Sequence, residues 1–293
     1  MALLEKDTDL TGEMSGDTGI FYGTLSDDWR IWSPNGGYLM AMVLRVAGLA
    51  SDWRKPLSIM CQFLSTGSFA PVELHVTSLR KTRVAEALRI TMVQKSEKDG
   101  EEQTRVLVEA LVWCGDTVPG YTHDVTTPPD VPDWQDLKRL EDLIDVGKAP
   151  YPFFENYEYR PIDFVPFDVR ENQPPYLNGW YRFDPEGDYA DPYVSAGRYL
   201  ILLDTFGWSA ASGAHRDDPS VMAPTLSLSA DFHRFDEGVW LLSENKGELA
   251  EDGLIHVQNE DGLIHVQNRV WSAERKLLAS SAGTLICRKR PGM

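Results

Sequence analysis

Hydrophobic and polar positions fall into two similar passages, separated by a stretch that follows neither helical nor strand periodicity. In the first passage, Tyr38 to Val46 is apolar almost all round. Asn35 is suited to cap a helix beginning at Gly36, and a helix without a polar face is expected to be buried. The segment "KPLSIMCQFL" then reads as a short strand, "APVELHVTSLRKTRVAEALRITMVQ" as two strands with alternating character, and "TRVLVEALVW" as another. The polar turn before the last of these carries Asp99-Gly100, a hairpin signal.

From Gly115 to about Pro150 the pattern fails. "DTVPGYTHDVTTPPDVPDWQ" is rich in Pro, Asp and Thr and reads as a linker, leading into "WQDLKRLEDLIDVG", a predicted short amphipathic helix. Strand-like "NYEYRPIDFVPF" and "NGWYRFD" follow. The order of the first passage then returns. "DPYVSAGRYLILLDTFGWSA" predicts a nearly all-apolar helix with Asp191 as cap and Pro192 in its first turn. "APTLSLSADFHR" echoes "KPLSIMCQFL", and "VWLLSENKGEL", "HVQNRVWSA" and "KLLASSAGTLICRK" supply three more strands. A long buried helix followed by antiparallel strands, twice over, predicts an α+β fold made of two copies of one unit. Each sheet would wrap its helix on nearly every side. The expected boundaries are 1–114, a linker over 115–150, and 151–293.

Composition narrows the function. With 42% hydrophobic and 11% aromatic residues the chain can bury a sizeable core, so global disorder is excluded. A net charge of −17 repels phosphate backbones and anionic lipids, so neither nucleic acid nor a membrane is an expected partner. The short basic run Arg288-Lys289-Arg290 reads as a solvated tail. Cys61, Cys114 and Cys287 lie far apart in apolar runs, as reduced core thiols would. No run of ~18 apolar residues and no signal peptide is recognisable, and the default location is cytoplasmic.

The segments "SPNGGYLMAMVLRVA", "KPLSIMCQFLSTG", "LRKTR", "APTLSLSADFHR", "WLLSENKGELA" and "LLASSAGTLICR", in that order, resemble the double hot-dog acyl-CoA thioesterases of the thioesterase II type, within the thioesterase-like superfamily. The resemblance runs from about Trp29 to Arg288 and is weakest in the linker. It implies two hot-dog units forming one pseudo-dimer and hydrolysis of an acyl-CoA, or another acyl thioester, in a cleft between the central helices. CoA would enter only as part of the substrate, with no separate cofactor and no metal. Association into a homo-oligomer is a further expectation. In the family an Asp on the second helix, a Thr on the next strand and a Gln on the last strand hold the attacking water. Asp204 and Thr225 match the first two, whereas Gly283 stands where the Gln is expected.

The residues themselves bear on these roles. A carboxylate after Leu200-Ile201-Leu202-Leu203 is costly to bury unpaired. Either it meets solvent or an arginine such as Arg45 or Arg198, or burial raises its pKa toward the range of a general base. Gly283 offers no side-chain hydrogen bond, which argues for slow hydrolysis or altered chemistry. Ser280, Ser281 and Thr284 are neighbours that could substitute, although strand alternation turns only some of them inward. Asn35, Gly36 and Gly37 could let a ligand approach free N–H groups that stabilise an oxyanion, or could be a tight turn alone. The first helix carries no acid, so at most one site is competent.

No GxSxG motif surrounds Ser209 and no HExxH occurs, so a serine-hydrolase elbow and a zincin site are unsupported. His233 reads as a structural histidine at a strand end. Trp29, Trp32, Trp180, Trp208, Trp240 and Trp271 read as core or cleft lining. Competing functions on the same scaffold are hydrolysis, dehydration or cyclisation of a carrier-bound or polyketide-type substrate, and non-catalytic acyl binding.

One segment repeats literally: "EDGLIHVQN" occupies 251–259 and again 260–268. Without one copy, the hairpin and following strand run on continuously. An extra strand would reverse everything after it, and a nine-residue slide would turn core residues outward. The expectation is that Glu251 to Asn259 is extruded at the turn, for ~1 kcal/mol of loop-closure entropy, while His265 to Ser272 keeps the strand.

Overall fold

The structure, a computed structural model, describes residues 3–98, 101–144, 151–166, 168–187, 189–217, 221–251 and 263–289. The first half contains α1 (Leu4–Asp7), β1 (Thr11–Ser15), β2 (Thr18–Thr24), α2 (Gly36–Ala50), β3 (Lys55–Phe63), β4 (Pro71–Lys81), β5 (Ala85–Lys98) and β6 (Glu101–Gly115). The second contains β7 (Tyr157–Pro161), β8 (Tyr176–Phe183), α3 (Pro192–Thr205), α4 (Gly207–Ser212), β9 (Val221–Met222), β10 (Thr225–Phe232), β11 (Trp240–Glu251), β12 (Leu263–Ser272), β13 (Leu277–Ile286) and β14 (Arg288–Lys289).

Twelve strands form one antiparallel sheet in the order β1-β2-β4-β5-β6-β3-β10-β13-β12-β11-β8-β7. Outward from the β3–β10 seam, the two halves present the same strands in the same sequence, each with its helix inserted after the second strand. This is the double hot-dog expected, with its two sheets made continuous at the seam. The hairpin β1–β2, with α1 before it, was not legible in the chain. Its inward positions hold little apolar surface besides Phe21, and Gly12, at φ +157°, interrupts the pattern. A Cβ on Gly12 would lie 2.3 Å from the Ile20 carbonyl oxygen.

Both predicted helix starts are found. Asn35 Oδ1 accepts from the Tyr38 N–H (3.0 Å) and Asp191 Oδ1 from the Tyr193 N–H (2.8 Å). The helices pack antiparallel at very short range. A Cβ on Gly37 would stand 2.5 Å from Ile201 Cα, and one on Gly197 would stand 3.2 Å from Ala41 Cβ. The small residues therefore set the interhelical distance. Except for Leu49 near the end of α2, which is exposed, the apolar residues of both helices are covered by the other helix and by the sheet.

The second helix is not continuous through Ser209 and Ala210, as the sequence suggested. It stops at Thr205, whose Oγ accepts from Asn35 Nδ2 (3.0 Å), and resumes as α4 after Phe206. The amphipathic helix expected after Trp134 is likewise replaced by two 3-10 turns, Trp134–Asp136 and Leu140–Asp142. Tertiary contacts override its periodicity. Trp134 stacks on Trp240 with centroids 4.6 Å apart, and Arg160 donates to the carbonyls of Trp134 (2.8 Å) and Leu137 (3.2 Å). Val131, Trp134 and Leu137 thereby strap the outer face of the second half's sheet, covering Trp180, Leu242 and Trp271. Trp32, by contrast, is exposed rather than part of the core or cleft.

Arg288 and Lys289 pair with Met222 and Val221 instead of forming a free tail. Cys61 and Cys114 are buried, Cys287 is half-buried, and all three are unbridged. The second copy of the repeat holds the strand, as expected: β11 and β12 pair from Leu241 with Ser272 out to Glu251 with Leu263. Its continuation decides this choice, because Val270 and Trp271 follow Asn268 and are both fully buried. After Asn259 the same two places would fall to Asp261 and Gly262. Of the first copy, expected to be extruded from Glu251 to Asn259, Glu251 instead ends β11, held in the ladder opposite Leu263, and residues 252–259 lie outside the described residues.

Candidate active site

Antiparallel packing of the two helices brings the C-terminal end of α3 against the N-terminus of α2. There Asp204 accepts two hydrogen bonds, one from each half of the molecule. Its Oδ2 accepts from the Gly37 N–H (2.8 Å), and its Oδ1 from Thr225 Oγ (2.9 Å). Neither arginine considered as a partner reaches it. Arg45 pairs with Asp191, while the buried Arg198 donates to Ser195 and to the carbonyls of Asp236 and Gly238.

The environment of the carboxylate explains its protonation. Enclosure by protein raises the Asp204 pKa to about 6, and the Thr225 and Gly37 hydrogen bonds hold it from rising further. The positive end of the α2 dipole works in the same direction as those two bonds. Asp204 thus titrates just below neutrality, within the working range of a general base.

Thr225 reaches Asp204 because β10 departs from strict alternation. Between Thr225 and Ser227 the ladder with β13 shifts register, pairing Thr225 with Leu285 and Ser227 with Thr284. Leu228, Ala230 and Phe232 are buried on the inner face, so an unbroken strand would turn Leu226 inward and Thr225 out. The extra residue re-aims Thr225, a common use of a bulge beside a site.

Asn35, Gly36 and Gly37 stand at the same place, with their roles partly taken. Asn35 caps α2 and ties it to Thr205, and the Gly37 N–H is already bound to Asp204. Gly36 is required by proximity: a Cβ there would lie 2.7 Å from Asp204 Oδ2 and 3.1 Å from the Phe63 ring. Phe63 and Cys61, both on β3, complete the surroundings, and the thiol of Cys61 is pushed up by burial and by the charge of Asp204.

Gly283 pairs with Leu228 on one side and Val266 on the other. A Cβ built on it would emerge among Val266 Cγ2 (3.3 Å) and Leu228 Cδ1 (3.6 Å), on the inner face. Of the three neighbouring hydroxyls, Ser280 lies outward on His233 (2.9 Å) and Thr284 lies outward toward His265 (3.4 Å). Ser281 alone is buried. Directly opposite it on β12 is Asn268, which donates from Nδ2 to the Leu203 carbonyl (2.6 Å). Sequence reasoning missed Asn268, although its signal was available: it occupies an inward place in the alternation Ile264, Val266, Asn268, Val270.

Two family models cover most of the chain. That of the acyl-CoA thioesterase N-terminal domain matches residues 25–115, and that of the acyl-CoA thioesterase C-terminal domain matches residues 122–286. Among solved structures, a conserved hot-dog protein of unknown function from Alicyclobacillus acidocaldarius is similar over 100% of both chains, with 23% identity and a TM-score of 0.74. An acyl-CoA thioesterase II from Mycobacterium marinum is similar over 99% of this chain and 100% of its own, with 18% identity and a TM-score of 0.73. A polyketide dehydratase domain from Mycobacterium tuberculosis is more distant, at 12% identity and a TM-score of 0.56, over 97% of this chain and 99% of its own. At such identities these likenesses speak to the fold alone. No curated protein matches significantly.

Proposed function

As the chain belongs to the acyl-CoA thioesterase family, we propose that it hydrolyses an acyl-CoA thioester with Asp204 as the general base. The observation that carries this reading is the single carboxylate at the helix junction, held by Gly37 and Thr225 and poised at a pKa of about 6. Asp204 takes one proton from a water molecule as its oxygen attacks the thioester carbonyl carbon. The resulting oxyanion faces the N-terminus of α2, where the Gly36 end of the helix and its dipole favour negative charge. Collapse breaks the C–S bond, and the departing thiolate takes the proton from Asp204, giving one carboxylic acid and one thiol. An acid with pKa near 6 protonates a thiolate of ordinary pKa ~8.5 downhill.

The test is purified protein against a panel of acyl-CoAs, with thiol release as the readout and Asp204→Ala as control. Equal rates for the two proteins would remove Asp204 from the mechanism.

One observation favours a second reading. Gly283 leaves the site without the side chain that the resemblance implies on the last strand, which suits a slower hydrolase or an enzyme acting on a carrier-bound acyl group. Product analysis separates the outcomes, since hydrolysis yields a free acid whereas dehydration or cyclisation retains or rearranges the acyl chain. A copy-to-copy contact is also proposed, across the outer sheet face where the cross-strand neighbours Met60 and Leu111 are exposed. Light scattering at working concentration tests it, and a strictly monomeric mass rules it out.

A further inference from the structure

The inner face of β12 places Asn268 in an otherwise apolar column, between Val266 and Val270. A carboxamide buried there is costly unless its hydrogen bonds are met. Half of the group is accounted for: Nδ2 serves the Leu203 carbonyl, in the last turn of α3, where helix carbonyls lack intrahelical donors. Its Oδ1 is buried with no hydrogen-bond partner among the described residues. The same holds for Oγ of Ser281, the residue directly opposite on β13. Two unmet polar atoms therefore face one another across a single strand pair. The carbonyl bound by Asn268 belongs to the residue preceding Asp204.

From this juxtaposition we propose that Asn268 and Ser281 position the attacking water for Asp204. The inference rests on the hydrolytic reading above. A buried water needs two to four polar partners, and Asn268, Ser281 and Asp204 would supply three. It donates one hydrogen to the free lone pair of the Asp204 carboxylate and the other to Asn268 Oδ1, and it accepts from the Ser281 hydroxyl. One oxygen lone pair is then left to meet the thioester carbon. The arrangement replaces a long side chain on the last strand by two short ones on facing strands. It also accounts for the retention of an uncapped polar pair in the core. Neither residue exchanges a proton in the reaction, so both are positioning residues.

The experiment compares wild type, Asp204→Ala, Ser281→Ala and Asn268→Leu on the best acyl-CoA of the panel, with kcat and KM separated and thermal stability measured alongside. Because Ser281 Oγ has no protein partner, Ser281→Ala should not lower Tm. The expected result is a fall in kcat on the order of 100-fold at unchanged KM, the size typical of losing one preorganised group. Asn268→Leu removes the cap of α3 as well and is expected to lower both kcat and Tm; where it does not fold, Ser281→Ala decides alone. A wild-type kcat in Ser281→Ala, with Asp204→Ala inactive, overturns the positioning role and leaves the general base standing. Absence of turnover by wild type overturns both.

Discussion

Replacing Asp204 by Asn should sharply reduce activity and stabilise the fold, and the second effect should depend on pH in a calculable way. The carboxyl pKa rises from 3.8 to about 6 on folding, through burial. A shift of about 2 units at 1.36 kcal/mol each corresponds to about 3 kcal/mol. Since the folded-state pKa is the higher one, the folded protein holds this proton between about pH 4 and pH 6 while the unfolded chain releases it. Wild-type stability therefore declines across that window and stays lower above it. The carboxamide never ionises, yet it can accept from Gly37 through Oδ1 and donate to Thr225 through Nδ2. Asp204→Asn should accordingly be more stable than wild type by up to about 3 kcal/mol at pH 7.5 and nearly equal to it at pH 4, with hydrolysis reduced ~1000-fold. Urea unfolding at the two pH values measures the first and thiol release the second. A stability difference that is the same at both pH values, or a less stable variant at pH 7.5, would refute the argument that burial sets the pKa.

Other outcomes follow from the same geometry. Wild-type kcat/KM should rise with pH through about 6, as Asp204 loses its proton, and a rate independent of pH between 5 and 8 would contradict a base with that pKa. Thr225→Val keeps the side-chain volume but removes a hydrogen bond that lowers the Asp204 pKa, so the acidic limb of the pH–rate profile should move to higher pH. Gly36→Ala places a methyl 2.7 Å from Asp204 Oδ2 and should lower kcat at least 10-fold while costing about 1–3 kcal/mol of stability, read by rates and urea midpoint. Deleting Asp252 to Glu260 leaves Asp261-Gly262 between the paired Glu251 and Leu263, a two-residue link of a favoured hairpin type. Shortening the connection from residues 252–262 should raise stability by ~1–2 kcal/mol, and a marked loss would show that the duplicated copy contributes packing.

The expectations that held rest on local patterns. Asn35 and Asp191 cap their helices as read, because a cap needs only a side-chain oxygen two or three residues ahead of an N–H. The all-apolar stretches are buried helices, and the alternating stretches are strands, because those periods are properties of a single element. Strand choice within the doubled segment was legible too, since Val270 and Trp271 can follow only the second copy. Asp204 and Thr225 were nominated by resemblance, and the cost of burying the Asp204 carboxylate added an independent physical argument for it. The short hairpin at the N-terminus escaped notice for lack of a pattern. The helix after Trp134 failed because Trp240 and Arg160 offered that segment better contacts than its own backbone did.

What the chain determined alone, then, is the list of elements, their caps and their repetition in two halves. Only the tertiary structure decided what those elements bring together. Residues 37, 204 and 225 meet because small side chains let two helices pack antiparallel at backbone distance, and because a one-residue bulge reverses the facing of Thr225. Asn268 and Ser281 are neighbours only through strand register, and their unmet hydrogen bonds arise only once the sheet has closed over them. Periodicity acts within a few residues of chain, whereas burial, pKa and hydrogen-bond satisfaction belong to the space that distant segments enclose.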